Sequence, residues 1–167
     1  SLGLAEKKLI VSVGRLVHRK GQDHLIQSLP EILNSVADAH LLLVGDGPYR
    51  DHLQKLVKRH NLESAVTFIG RIQYKDLPMY LCVGDIFAMP SRSRLMGLEV
   101  EGLGIVYLEA SACGLPVLAG NSGGAPDAVL LNKTGLVVDG TDNKQIAKAA
   151  IELLTNVESS QRMGLAG

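Results

Sequence analysis

Lys8-Leu9-Ile10-Val11-Ser12-Val13, followed by Gly14-Arg15-Leu16-Val17-His18-Arg19-Lys20-Gly21, is the stretch that decides the fold. After Lys8 the first run is apolar or β-forming almost without a break, the pattern of a strand covered on both faces. Gly14 stops it and permits close backbone approach or a positive φ. Past Gly21, the spacing of Leu25, Ile26, Leu29 and Leu33 draws one apolar stripe along a helix over residues 21–35. Strand, glycine loop and helix together form the repeating unit of a parallel sheet.

That unit recurs along the chain. Strands are expected at 40–44, 66–68, 85–89, 117–119 and 135–138, and helices at 49–60, 75–83, 105–113, 125–130 and 143–154. Gly45-Asp46-Gly47-Pro48 ends the second strand, and Asp46 reads as the cap of the next helix. Pro90 ends the fourth strand, and Gly114 closes a helix from the C-terminal glycine position. Residues 91–100 read as a polar, irregular loop. Without repeat or linker, residues 1–167 are expected to form one α/β domain, a doubly wound, Rossmann-like parallel sheet. Such sheets bind ligands outside the carboxyl ends of their strands, where the glycine-rich loops fall.

Composition narrows the function. A chain of 167 residues with 46% hydrophobic content folds around a sizeable core. Seventeen basic side chains balance seventeen acidic ones, so no net basic face is expected for nucleic acid. Aromatics are 4% with no Trp, which leaves little to stack on single strands. The histidines at 18, 24, 40, 52 and 60 are scattered, and no metal site is expected. Cys82 and Cys113 read as reduced core residues of a reducing compartment. No signal peptide is visible and no apolar run approaches the ~20 residues of a membrane span, so a cytoplasmic location is the expectation.

Two segments carry candidate chemistry. In the first loop, Arg15 offers a bidentate fork and Lys20 a compact charge, both suited to phosphate. By itself this loop reads equally well as a solvated basic turn, and it lacks the Walker A pattern. The second segment is Glu101-Gly102-Leu103-Gly104-Ile105-Val106-Tyr107-Leu108-Glu109. If mostly helical, it spaces Glu101 and Glu109 about 12 Å apart, too far for an acid/base pair on one bond. Helix-start amides between the two carboxylates suit an anion. Tyr107 stands where the dinucleotide fingerprint needs its third glycine.

Taken with Val44-Gly45-Asp46-Gly47-Pro48, Phe68-Ile69-Gly70, Ala112-Cys113-Gly114-Leu115-Pro116-Val117 and Gly123-Gly124-Ala125-Pro126-Asp127, these segments resemble the donor-binding half of retaining group 1 glycosyltransferases (glycosyltransferase family 4) over nearly the whole chain. The resemblance implies one half of a two-Rossmann-domain architecture, with the amino-terminal acceptor domain and the helix that crosses back onto it absent from this chain. It also implies roles. Arg15 and Lys20 look like the pyrophosphate clamp, beside Gly14. Glu101 looks like the carboxylate on the transferred sugar. Gly102, Leu103, Gly104, Ile105 and Val106 look like the phosphate and sugar cradle, and Glu109 the ribose ligand. Gly70, Arg71 and Ile72 look like the edge that receives the nucleobase. The family usually has Phe in the Leu103 to Val106 context and Glu where Asp127 stands, both conservative departures.

Within the family, Ser91-Arg92-Ser93-Arg94 with the Gly97 to Glu109 run, and Gly120-Asn121-Ser122-Gly123-Gly124-Ala125-Pro126, resemble the phosphatidylinositol-mannoside mannosyltransferases. That implies hexose transfer, specifically mannose from GDP-mannose, to a lipid or sugar acceptor. The transfer would be retaining and independent of metal or other cofactor. The fragment alone would bind the nucleotide sugar without turnover. A peripheral place at the inner face of the membrane fits a full-length protein with a lipid acceptor. Arg92 and Arg94 read either as contacts of an anionic donor or acceptor or as charges of a solvated loop, and His18 either as facing the ligand or, by preference, as a solvated loop position. A nucleotide-sugar epimerase, a glycogen-synthase-like enzyme, a nicotinamide dehydrogenase and a non-catalytic nucleotide-binding domain stay open as alternatives.

Overall fold

The computed structural model describes residues 3–93, 102 and 104–167; Arg94, Glu101 and Leu103 of the candidates above lie outside that range. Six strands form one parallel sheet: β1 (Lys8–Val13), β2 (Ala39–Val44), β3 (Val66–Gly70), β4 (Ile86–Met89), β5 (Val117–Gly120) and β6 (Gly135–Val138). Their spatial order is β3-β2-β1-β4-β5-β6. The chain leaves β1 toward one edge and β4 toward the other, so the switch point lies between these two strands. Ile10 pairs with Ile86 and Val11 with Phe87 at that seam.

The helices are α1 (Gln22–Ser35), α2 (Arg50–Arg59), α3 (Leu77–Leu81), α4 (Ile105–Ala112), α5 (Asn143–Thr155) and α6 (Val157–Ala166). Strand alternation sends Ile10, Leu41, Leu43 and Ile86 to one face, under α1, α2 and α5. Val11, Leu42, Val44, Phe87 and Met89 go to the other, under α3 and α4. Complete burial of a Leu, Ile or Phe in either layer contributes roughly 1.5–3 kcal/mol, and Ile10, Leu41, Leu42, Ile86 and Phe87 are all at 0–1% exposure.

Several expectations are corrected. The helix expected at 75–83 is a 3-10 turn, Tyr74–Asp76, leading into the five residues of α3, with Pro78 in its first turn. The helix expected at 125–130 is only the 3-10 turn Pro126–Ala128. Asp46 does not cap α2: its Oδ1 accepts from the Gly47 amide at 2.8 Å, and the helix starts at Tyr49 without a side-chain cap. An additional helix, α6, follows α5 and packs on this same domain, with Ser160, Met163 and Gly164 inward. Asn156 caps it through the Ser159 amide at 3.2 Å.

The cysteines are not core residues. Cys82 is exposed at the end of α3, and Cys113 is half-buried at the end of α4. Both thiols are free and border one shallow hollow. Burial, with the Cys82 side chain next to it, pushes the Cys113 thiol up to about 11.

Gly21 shows why the first loop needs glycine where it meets α1. Its φ is +76°, and a Cβ there would lie 1.9 Å from the Pro90 carbonyl oxygen. The loop after β1 is thus pressed against the end of β4, across the switch point.

Candidate functional site

The carboxyl ends of β1, β2 and β3 open into a cleft centred on Gly14. On one side, a cavity of about 410 Å³ is bordered by Gly14, Lys20, Tyr74, Gly104, Ile105, Val106 and Glu109, with Val13 and Leu77 beneath. On the other, a cavity of about 520 Å³ is bordered by Gly14, Arg15, Gly45, Asp46, Gly47, Pro48 and Arg71. Both volumes fall within the ~300–1,000 Å³ of ligand sites. A cavity of about 570 Å³ also opens at the amino ends of the strands, around residues 4–9, Asp38 and Asp85. It lies away from the switch-point side, and its Lys8 is committed to Asp85 at 3.0 Å.

The fold therefore brings together most of the residues singled out in the sequence. Lys20 ends a 3-10 turn, His18–Lys20, and its side chain folds back over Gly14. A Cβ on Gly14 would sit 3.7 Å from Lys20 Cε and 3.9 Å from Nζ, so the ammonium overhangs bare backbone. Arg15 is exposed at the lip of the neighbouring cavity. Leu16 holds the loop in place: its amide donates to the Asp46 carbonyl and its carbonyl accepts from the Tyr49 amide, both at 3.0 Å. Arg71 and Ile72 follow β3; Arg71 is exposed on the second cavity, whereas Ile72 packs against the core beneath.

Helix α4 aims its amino end into the first cavity. Gly104 precedes it with φ +66° and ψ 64°, a left-handed conformation that glycine adopts without penalty. The Tyr107 amide bonds to the Gly104 carbonyl at 2.9 Å. The Ile105 and Val106 amides belong to the first turn, where donors have no intrahelical partner and the helix carries partial positive charge. Glu109 is one turn further on, half-buried and on the cavity wall. Its Oε1 accepts from the Tyr74 hydroxyl at 2.7 Å. That bond and the Glu109 charge push the Tyr74 phenol above its ordinary value.

Tyr107, in the place of the fingerprint glycine, anchors α4 to β4. It is fully buried, its ring meets Phe87 edge-on at 5.7 Å, and its hydroxyl donates to the Met89 carbonyl at 2.7 Å. A phenol has one proton to give, so the Ser91 hydroxyl at 3.0 Å is the donor in the second contact.

Arg92 matches neither of its two readings from sequence, an anion contact or a solvated loop charge. It does not face an anionic ligand: it is 4% exposed, and its Nη1 and Nη2 reach Asp23 Oδ1 and Oδ2 at 2.6 and 2.7 Å. Burial works against ionisation of Asp23, but the Arg92 fork outweighs it and holds the carboxyl below its ordinary value. Arg92 Nε donates to His18 Nδ1 at 3.3 Å, which leaves the imidazole proton on Nε2. The Tyr49 hydroxyl completes the cluster by donating to Asp23 at 3.1 Å. Sequence reasoning missed this network. It ties the first loop and the start of α1 to the segment after β4.

Among the described residues, no three His, Cys, Asp or Glu side chains converge to hold a metal ion, and no helix is long and apolar enough to cross a membrane.

Comparison with known proteins adds chemistry to this geometry. The family model for glycosyl transferases group 1 matches residues 2–167. The chain is 50% identical over 165 residues to a GDP-mannose-dependent alpha-(1-6)-phosphatidylinositol monomannoside mannosyltransferase of Mycolicibacterium smegmatis, covering 99% of this chain and 43% of that protein. It is 47% identical over 167 residues to the GDP-mannose-dependent monoacylated alpha-(1-6)-phosphatidylinositol monomannoside mannosyltransferase of Corynebacterium glutamicum, again 43% of that protein. The chain thus spans less than half the length of these relatives. Among solved structures, Anabaena HepE in complex with UDP and glucose superposes with a TM-score of 0.87 at 26% identity, over 99% of this chain and 43% of that one.

Proposed function

Since the chain belongs to the group 1 glycosyl transferases, we propose that it is the donor-binding domain of a retaining mannosyltransferase that takes mannose from GDP-mannose. The observation that carries this reading is one cavity bordered jointly by Lys20, the amino end of α4 and Glu109. The 50% identity to a GDP-mannose-dependent enzyme supports the choice of donor. The acceptor, on the same grounds, is a phosphatidylinositol mannoside met at the inner membrane face, and a further domain would bind it.

The donor pyrophosphate carries about two negative charges. Lys20, Arg15 and the first-turn amides of α4 offset them with groups already in place, so the leaving nucleoside diphosphate is stabilised without reorganisation. Glu109 accepts from the ribose hydroxyls. Arg71 and the backbone around Ile72 border the nucleobase, and Glu101 contacts the transferred sugar. The charge-offsetting groups all come from this chain, so transfer is proposed to need no metal.

Calorimetric titration of the chain with GDP, UDP and ADP tests the reading. GDP should bind and should out-compete the other two. Absence of binding by any of the three at millimolar concentration would remove the donor-domain assignment, and a preference for UDP or ADP would remove GDP-mannose.

A further inference from the structure

The 3-10 turn Tyr74–Asp76 and helix α4 are far apart in sequence but joined by one side-chain hydrogen bond, Tyr74 to Glu109, which spans 35 residues at 2.7 Å. Tyr74 lies three residues past Arg71, which borders the second cavity, and itself lines the first. Its partner Glu109 stands on the wall of the first. The bond therefore lies within the wall of the first cavity, next to the segment that leads to Arg71.

We propose that Tyr74 is a specificity-determining residue of the donor site, its hydroxyl holding the Glu109 carboxylate in the pose that accepts a ribose diol. This rests on the donor-site reading and extends it to a side chain with no place in the sequence motifs. A carboxylate offers about four lone-pair sites. Tyr74 occupies one on Oε1, so Glu109 can receive two ribose hydroxyls while the phenol stays in place. An unheld glutamate would have to surrender side-chain freedom on binding, and fixing it beforehand removes that penalty.

A purely structural role explains the bond poorly. Tyr74 is 78% exposed and buries almost none of its ring in the core. Its neighbour across the cavity, Ile105, is 67% exposed. Large apolar side chains left open around a polar cleft mark a surface that a ligand covers. Among the described residues, the ring of Tyr74 and the side chain of Ile105 are such surfaces on this cavity, beside Glu109.

The test is a two-by-two binding experiment on the chain, with wild type and Tyr74→Phe against GDP and 2′,3′-dideoxy-GDP. Wild type should prefer GDP by about tenfold or more, the equivalent of losing hydrogen bonds to a charged group. Tyr74→Phe should weaken GDP binding by roughly three- to tenfold and leave the dideoxy ligand unchanged, which narrows the preference. Equal weakening of both ligands, or of neither, overturns the proposal while leaving the donor site standing. Failure of wild type to bind either ligand overturns the donor-site reading and this inference with it. Tyr74→Phe is an exposed, shape-conserving change, and an unaltered thermal midpoint without ligand would confirm that the fold is intact.

Discussion

The Arg92 guanidinium lies in a two-pronged contact with the Asp23 carboxylate, at 2.6 and 2.7 Å, with both side chains under a tenth exposed. The pair fastens the segment after β4 to the first turn of α1, and the Arg92 amide adds a bond to the Arg19 carbonyl at 2.8 Å. His18 and Tyr49 close the cluster. The loop that carries Lys20 is therefore backed by a buried ion pair.

Removing one member leaves the other charge buried and unpaired. Asp23→Asn or Arg92→Met should each destabilise the chain by about 3–5 kcal/mol. The double variant should lose much less than the sum of the two. Urea unfolding of the four proteins checks this, and additive losses would show that the residues do not act as a pair.

Acid should destabilise the chain in two separable ranges. The Asp23 carboxyl is held below its ordinary 3.8 by Arg92 against the opposing effect of burial. Its contribution is complete above that value and is lost as pH falls further, through the folded-state value. His40 is depressed from 6.5 by burial and, after that, by Lys7, with Ser64 opposing. Between its folded value and 6.5 the unfolded chain binds more protons, so stability falls as pH drops below about 6.5. Thermal midpoints for His40→Gln should be flat across pH 7 to 5 where wild type declines, and a parallel decline in both would exclude His40 as the source.

What the sequence disclosed and what it concealed divide along one physical line. Lys8–Val13 and Gly135–Val138 have the expected bounds because apolar continuity and flanking glycines are local signals. Lys20 and Glu109 could be singled out because the first loop and the α4 segment each carry a recognisable local pattern, and the fold sets both on one cavity. The buried role of Arg92 was not legible because its partner is 69 residues away, and nothing near it distinguishes a buried arginine from a solvated one. Helix α6 was missed because its buried positions are Ser160, Met163 and Gly164, which draw hardly any apolar stripe. Cys82 and Cys113 meet only because α3 and α4 end side by side, a tertiary fact with no trace in their spacing.

Two glycines with nearly equal φ separate backbone strain from steric overlap. Gly114, at +78°, has no atom within 4 Å of a notional Cβ, whereas Gly21, at +76°, has the Pro90 carbonyl at 1.9 Å. Gly114→Ala should lose only the left-handed penalty of about 1–2 kcal/mol. Gly21→Ala must also push the loop away from β4, and a total near or above ~4 kcal/mol is expected. Equal losses in chemical denaturation would mean that the loop yields freely at this contact.

Lys20 and Glu109 line the same cavity, and on the proposed reading they address different parts of the donor, so their substitutions should be distinguishable by salt and by ligand. The proposed role of Lys20 is charge on the pyrophosphate. Lys20→Ala should weaken binding of GDP and of inorganic pyrophosphate alike and should flatten the dependence of affinity on salt. The proposed role of Glu109 is hydrogen bonding to ribose, each bond contributing about 1.5–3 kcal/mol when charged. Glu109→Gln should therefore weaken GDP by roughly 10- to 100-fold and leave pyrophosphate binding unchanged or slightly stronger, because a negative charge has left the cleft. In a full-length enzyme the Lys20 variant should lose on the order of 10²–10³ in rate, the usual consequence of removing one preorganised donor. Salt-dependent calorimetry with both ligands decides the division of labour. A Glu109→Gln variant that loses pyrophosphate as severely as GDP would place that carboxylate in the support of the loop and not on the ribose.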